Sequence, residues 1–303
     1  MPWTRPRLAP CRRGRPGRRV IAAAAVLLGL ATVLTVVRAS WPARLSSAER
    51  TLTVATWNMC GVEQWNCRGT GSRAVKRAEL EGLVTRSGAR LVLLQEACAG
   101  DLETVRAALG RSWRTEFRPY TWRDASGRTS DVRCAEPGQG AAGFALLSSY
   151  RLSAVGTVAA QQPTVGLRRG ILCATVARHD LRVCTAHLSP RGSDRAHPGW
   201  ELRDDQLKAL AASVPARRTV YGGDLNVDPP GPRNPSSWVW SSGPYGRHRE
   251  CDQASASSRS GRATHVSGHK LDYLFTGLPR VRCTVRDTGA SDHFALLLQV
   301  RTG

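Results

Sequence analysis

Asp224, Asn226 and Asp228 stand at alternate positions in Tyr221-Gly222-Gly223-Asp224-Leu225-Asn226-Val227-Asp228-Pro229, so one short turn presents two carboxylates and an amide. Side chains of these types hold hard cations or orient water for attack. An EF-hand calcium loop is excluded on detail, because its glycine position is Pro229 and its bidentate glutamate position is Pro235. A turn whose Asp and Asn bond their own backbone would look the same if it stood alone. It does not stand alone. Asn58, Glu96, His187, Asp272, Asp292 and His293 each lie at or beside the end of an apolar run. A separate structural excuse would be needed for every one of them. Oxygen ligands of the Glu, Asp and Asn types suit a hard cation such as Mg2+, with Mn2+ or Ca2+ as alternatives. Two histidines with nearby carboxylates suit proton transfer and stabilisation of charge on phosphorus. The sum is metal-assisted attack of water on a phosphoester. Zinc is disfavoured because the thiols are expected in disulfides, and no Gly-x-Ser-x-Gly elbow or phosphate-binding glycine loop supports a serine hydrolase or an NTPase.

The elements that must carry these groups follow from periodicity. Residues 51–56 alternate as a strand and deliver Asn58 to its end. The continuous run 91–94 reads as a buried strand followed at once by Gln95-Glu96. Residues 143–148, 271–275 and 295–300 read as further strands, and 171–177 with 180–187 as a hairpin that ends at His187. The run 219–221 reads as a strand that two glycines end. Helices are expected at 73–86, closed by Gly88, after the cap Asp101, and at about 201–213. The segments 229–237 and 253–268, rich in Pro, Ser, Gly and Arg, read as loops. From 111 to 139 arginines interleave with Trp113, Phe117, Tyr120 and Trp122, a pattern that suits a phosphate backbone with stacked bases and equally suits solvated edge strands.

The amino terminus is different in kind. Seven arginines lie between Arg5 and Arg19, an uncharged apolar run covers 20–37, and no acid precedes Glu49. The segments are therefore a basic cytoplasmic stretch 1–19, a membrane anchor or signal sequence 20–37, a linker 38–50 and a catalytic domain 51–303, held outside the cell on a single span or secreted. The net charge is +21, and the eight arginines ahead of residue 39 leave +13 for the rest, which favours polyanionic partners. Of nine cysteines, Cys11 precedes the apolar run and eight follow it. An even number of exported thiols implies disulfides. The hairpin pairs Cys173 with Cys184, and Cys60 with Cys67 would close a short loop, while Cys98, Cys134, Cys251 and Cys283 have no assignment.

In order, TWNMCG (56–61), LLQEAC (93–98), GFALLS (143–148), TAHLSP (185–190), GGDLNVDP (222–229), KLDYLF (270–275) and SDHFAL (291–296) resemble the endonuclease/exonuclease/phosphatase superfamily, whose members include DNase I, AP endonucleases, neutral sphingomyelinases and inositol polyphosphate 5-phosphatases. The resemblance runs from about residue 51 to the carboxyl end. It implies an α/β four-layered sandwich of two mainly antiparallel sheets flanked by helices. It also implies roles. Glu96 is the main metal ligand with Asn58 and Asp292 close by, Asp224 positions or deprotonates water, and Asn226 bonds the phosphate or steadies the Asp224 region. His293, oriented by Asp272, binds the scissile phosphate or acts as base, and His187 stabilises the phosphorane or protonates the leaving oxygen. Arg169 contacts phosphate, with Arg168 an equal candidate by position. Phe144 replaces a polar residue common in relatives, and the glutamate that supports the first histidine in DNase I-like members has no counterpart, so nothing in the sequence orients His187. The expected activity is that of a monomeric phosphodiesterase acting on DNA or RNA. The alternatives are a lipid-headgroup phosphohydrolase of sphingomyelinase or phosphoinositide type, and a non-catalytic binding module.

Overall fold

The computed structural model describes residues 51–62, 65 and 70–303. The expected basic segment 1–19, the anchor or signal 20–37 and the linker 38–50 lie outside the described residues, and among the described residues no helix is long and apolar enough to cross a membrane.

Two six-stranded sheets make up most of the fold. The first has β1 (Thr51–Asn58), β2 (Leu91–Cys98), β3 (Arg114–Pro119), β6 (Ala142–Ser148), β14 (Arg280–Arg286) and β15 (Ala295–Arg301), in the order β14-β15-β1-β2-β6-β3. The second has β7 (Leu152–Thr157), β9 (Gly170–Val176), β10 (Leu181–His187), β11 (Thr219–Asp224), β12 (Arg249–Glu250) and β13 (Asp272–Thr276), in the order β12-β13-β11-β10-β9-β7. Each sheet contains one parallel pair, β1 with β2 and β10 with β11, and its other pairs are antiparallel. A parallel pair needs a long crossover. Helix α1 (Arg73–Thr85) supplies it in the first sheet and α3 (Arg203–Ala212) in the second. Helices α2 (Ala99–Leu109) and α4 (Gly243–Arg247) complete the outer layers, and β4 (Thr121–Arg123), β5 (Thr129–Asp131) and β8 (Gly166–Arg168) form a small third sheet in the order β5-β4-β8.

The layering follows from which faces are apolar. Between the sheets Leu52, Val54, Leu91 and Leu93 pack against Leu172, Val183, Val220 and Leu274. The other face of the first sheet, with Trp57, Val92 and Leu94, is covered by Leu80 and Leu83 of α1 and by Leu102 and Val105 of α2. The second sheet presents Tyr221 and Phe275 to Leu207 and Leu210 of α3. Strands buried on both faces lose the polar alternation, which is why 91–94 reads as an unbroken apolar run. The four-layered α/β sandwich of two mainly antiparallel sheets is the architecture found.

One expectation about a strand is corrected. β11 does not stop at its glycines but runs through Gly222-Gly223 to Asp224, paired on both sides. A Cβ at Gly223, where φ is +127°, would fall onto the Ala186 carbonyl oxygen and 2.8 Å from Gln95 Nε2. Glycine here permits close backbone approach instead of ending the strand.

Cys173 and Cys184 are bonded, as the hairpin register requires. Cys98 bonds Cys134, and Cys251 bonds Cys283. Cys60 is disulfide-bonded, and Cys67, its expected partner, lies outside the described residues.

Candidate active site

Asn58 ends β1 of the first sheet and Asp224 ends β11 of the second, yet the two side chains touch. Asn58 Nδ2 donates to Asp224 Oδ2 at 3.0 Å and to Glu96 Oε1 at 3.3 Å. Glu96 reaches this point because the β2–β6 register slips between Leu94 and Ala97, and Glu96 itself takes φ +50°. A bulge re-aims the side chain it carries. The left-handed conformation of a non-glycine residue costs about 1–3 kcal/mol, and such costs concentrate where a group must point in one direction.

The second sheet contributes a row. His187 lies opposite Asp224 across the parallel pair, and Asp224 lies opposite Asp272 across the antiparallel pair. Direct cross-strand partners leave the same face of a sheet. His187 Nε2 is 3.4 Å from Asp224 Oδ2. His293, on the segment leading into β15, closes the group with Nδ1 2.8 Å from Asp272 Oδ2 and Nε2 3.9 Å from Asp224 Oδ2. Its backbone is fixed by Trp57 Nε1 donating to the His293 carbonyl at 3.1 Å. Arg169, between β8 and β9, donates from Nε to His187 Nε2 at 3.0 Å. Arg168 pairs with Thr121 in the small sheet and makes no such contact.

Asn226 takes φ +53°, donates its backbone N–H to Asp224 Oδ1 and its Nδ2 to the Leu188 carbonyl, each at 2.9 Å. It therefore braces the strand ends on either side of it, and it lines an adjoining cavity of about 810 Å3 between the loops 227–236 and 258–271. Asp228 is turned to His269, 2.8 Å away. Asp292 faces His265, with Oδ2 3.5 Å from Nε2, and its neighbour Ser291 donates to the Asn58 carbonyl at 2.8 Å. Ligand atoms of His265, Asp292 and His293 lie within 4.8 Å of one another, as do those of Asp224, Asp272 and His293.

The question of what orients His187 has an answer in Tyr120, a fully buried residue that the sequence offered only as one aromatic in an arginine-rich stretch. Its hydroxyl is 2.6 Å from His187 Nδ1 and accepts the Glu96 backbone N–H at 3.0 Å. Phe144 packs against the Tyr120 ring, with ring centroids 5.6 Å apart. His265 also escaped the sequence reading, because it sits in a loop rich in Ser, Gly and Arg.

Electrostatics sort the groups. Burial pushes Glu96 up to about 7, against the pull of His293 and Arg169. Burial likewise raises Asp224, opposed by His293 and reinforced by Asp272. Burial disfavours charge on His293, but Asp272 and Asp224 outweigh it and raise the imidazole to about 10. His187 is held well below the ordinary histidine value by burial and then by the Arg169 and His293 charges. The centre thus holds a neutral histidine, a cationic histidine, an arginine and carboxylates that resist ionisation, an arrangement that can neutralise a phosphate and accept a proton from water.

Solved structures share this fold. The endonuclease/exonuclease/phosphatase from Beutenbergia cavernae DSM 12333 superposes with a TM-score of 0.61 at 22% identity, covering 84% of this chain and 72% of that one. The human Nocturnin catalytic domain with bound sulfate gives 0.60 at 16% identity, covering 82% and 94%. An AP endonuclease from Archaeoglobus fulgidus gives 0.53 at 15% identity, covering 82% and 98%. No curated protein is a significant match in sequence. Residues 55–293 match the family described as Endonuclease/Exonuclease/phosphatase, and with that span, the fold and the assembled strand ends in agreement, the chain belongs to that family.

Proposed function

We propose that the chain is an exported, divalent-cation-dependent phosphodiesterase that hydrolyses nucleic acid. The observation that carries the reading is the meeting of Asn58 and Glu96 from one sheet with His187, Asp224 and Asp272 from the other, closed by His293 and Arg169. The family supplies phosphoester hydrolysis as the reaction class. A neighbour of the same fold is an AP endonuclease, which favours a nucleic-acid substrate.

The donor set fits a hard cation. The buried carboxylates of Asp224 and Asp272 and the half-buried one of Glu96 come together, and Asp272 Oδ1 has no hydrogen-bond partner among the described residues. Glu96, with the Asn58 amide beside it and Asp292 on the His265 side, would hold magnesium, which supplies Lewis acidity toward a phosphoryl oxygen when bound. Asp224, whose raised proton affinity makes it a better base than an ordinary aspartate near neutral pH, positions water and takes its proton as the water oxygen bonds to phosphorus and the P–O ester bond breaks. Arg169 and protonated His293 face the negative charge that collects on the phosphoryl oxygens. His187 stays neutral and is held from both sides by Tyr120 and Arg169. Three disulfides among the described residues, with the arginine-rich start and the apolar run 20–37, support an oxidising location outside the cytoplasm.

The test is a substrate panel for the purified chain: plasmid DNA, RNA and sphingomyelin, each with Mg2+ and with EDTA. Cleavage of nucleic acid that EDTA abolishes is the expected result. Turnover of sphingomyelin alone would move the substrate to lipid headgroups, and no turnover of any phosphoester would leave a binding module.

A further inference from the structure

Three chain segments leave the catalytic centre side by side. β4 starts one residue after Tyr120, β8 ends one residue before Arg169, and the loop 188–202 begins at the residue after His187. β4 and β8 are antiparallel partners, with Trp122 opposite Leu167. The loop is laid onto them. Arg195 N donates to the Val165 carbonyl at 2.8 Å, and the Arg195 guanidinium stacks over Trp122 at 4.4 Å from the ring centre.

The loop is built, not merely long. Asp194, with a side chain 0% exposed, accepts from Thr164 N at 2.7 Å, Thr164 Oγ1 at 2.8 Å, Ala196 N at 2.9 Å and His197 N at 3.0 Å. Burial works against its charge, yet these bonds hold its carboxyl down at about 2. Two residues flanking this anchor present binding groups to solvent. Arg195 is exposed and has neither an ion pair nor a side-chain hydrogen bond among the described residues, so its rigidly stacked guanidinium keeps its donors. Trp200 is 43% exposed, although its indole is large and apolar, with the His197 ring stacked on it at 3.8 Å and 7°. The loop's carboxylates do not compensate Arg195, because Asp194 is consumed as the anchor and Glu201 is bound to Arg203 at 2.6 Å.

We propose that this loop and β4 form a docking lane for single-stranded nucleic acid, in which Arg195 takes a phosphate flanking the scissile one and Trp200 stacks an unpaired base. The inference rests on the phosphodiesterase reading above and narrows its substrate class. A fixed cation and an exposed aromatic face on one loop suit a single strand, since phosphates meet the charge while free bases meet the ring. Bases in a duplex are already stacked and cannot use the Trp200 face.

The experiment compares kcat/KM of the full chain on a short single-stranded oligonucleotide, on the same sequence as a duplex and on bis(p-nitrophenyl) phosphate, which has no flanking phosphate or base. Wild type is expected to prefer the single strand to the duplex. The ratio of single-strand to small-ester activity is expected to fall roughly tenfold in Trp200→Ala and in Arg195→Ala, with Trp200→Phe restoring most of it. Arg195→Ala is also expected to make the slope of log KM against log salt shallower by about one. Unchanged ratios in both variants would overturn the lane while hydrolysis of the small ester upheld the phosphodiesterase. Loss of binding to anionic lipid vesicles with oligonucleotide turnover intact would overturn it in favour of a membrane surface. Absence of turnover on every diester in wild type would instead remove the phosphodiesterase reading on which the lane depends.

Discussion

The Tyr120 hydroxyl lies 2.6 Å from His187 Nδ1 while accepting the Glu96 backbone N–H. One phenol therefore ties the histidine of the second sheet to the carboxylate-bearing bulge of the first. Arg169 only donates, so its bond to His187 Nε2 places the proton of neutral His187 on Nδ1, toward the Tyr120 oxygen. Tyr120→Phe removes this oxygen and with it the bond from the Glu96 backbone N–H. Steady-state kinetics on a diester should show kcat lower by about tenfold with KM little changed, and thermal unfolding should show a loss of about 1–3 kcal/mol. An unchanged kcat would deny Tyr120 its orienting role.

Glu96 and the Asn58 amide meet at 3.3 Å where cation binding is proposed. Glu96→Gln keeps the shape and removes the charge. Its hydrolytic rate in Mg2+ should fall by roughly a hundredfold or more, to the level of wild type in EDTA. Titration calorimetry with Mn2+ should lose its heat signal in the same variant.

The raised Glu96 value gives the pH dependence a sign. A carboxyl lifted from 4.5 to about 7 binds its proton more tightly in the folded chain, so the metal-free protein loses stability as pH rises through that interval. His293, lifted from 6.5 to about 10, acts in the same direction over a later window, since its contribution is fully present below about 6.5 and is lost as pH climbs through about 10. Divalent cation competes with the Glu96 proton. The Tm gained on adding Mg2+ should therefore be small near pH 5 and grow above pH 7, and Glu96→Gln should flatten that difference.

Cys251 follows β12 of the second sheet, and Cys283 lies in β14 of the first, so their bond staples the two sheets across 32 residues of sequence. Cys251→Ser with Cys283→Ser should cost about 4 kcal/mol, the loop-closure value for such a span, measured by denaturant unfolding. Activity at low temperature should persist, because neither cysteine touches the catalytic centre.

Much of this centre was legible in sequence because its groups sit at the ends of strands whose apolar periods are plain. Asn58, His187 and Asp224 are each the last residue of a strand, and Asp272 is the first. Local periodicity cannot report a partner, so the pairing of Cys98 with Cys134 and of Cys251 with Cys283 waited for the fold. Tyr120 was hidden for the same reason. Its hydroxyl has meaning only through a residue 67 positions away. The two glycines of β11 misled because glycine usually breaks a strand, whereas here the crowding of the Ala186 carbonyl and Gln95 requires it.

The most direct test is crystallographic: crystals of the full chain soaked in Mn2+ and measured at the manganese absorption edge. The account predicts an anomalous peak within coordination distance of a Glu96 carboxylate oxygen, about 2.0–2.3 Å for a hard divalent cation, with Asn58 beside it, and no such peak in Glu96→Gln. Manganese bound elsewhere, with the Glu96 carboxylate unliganded at neutral pH and saturating metal, would contradict it.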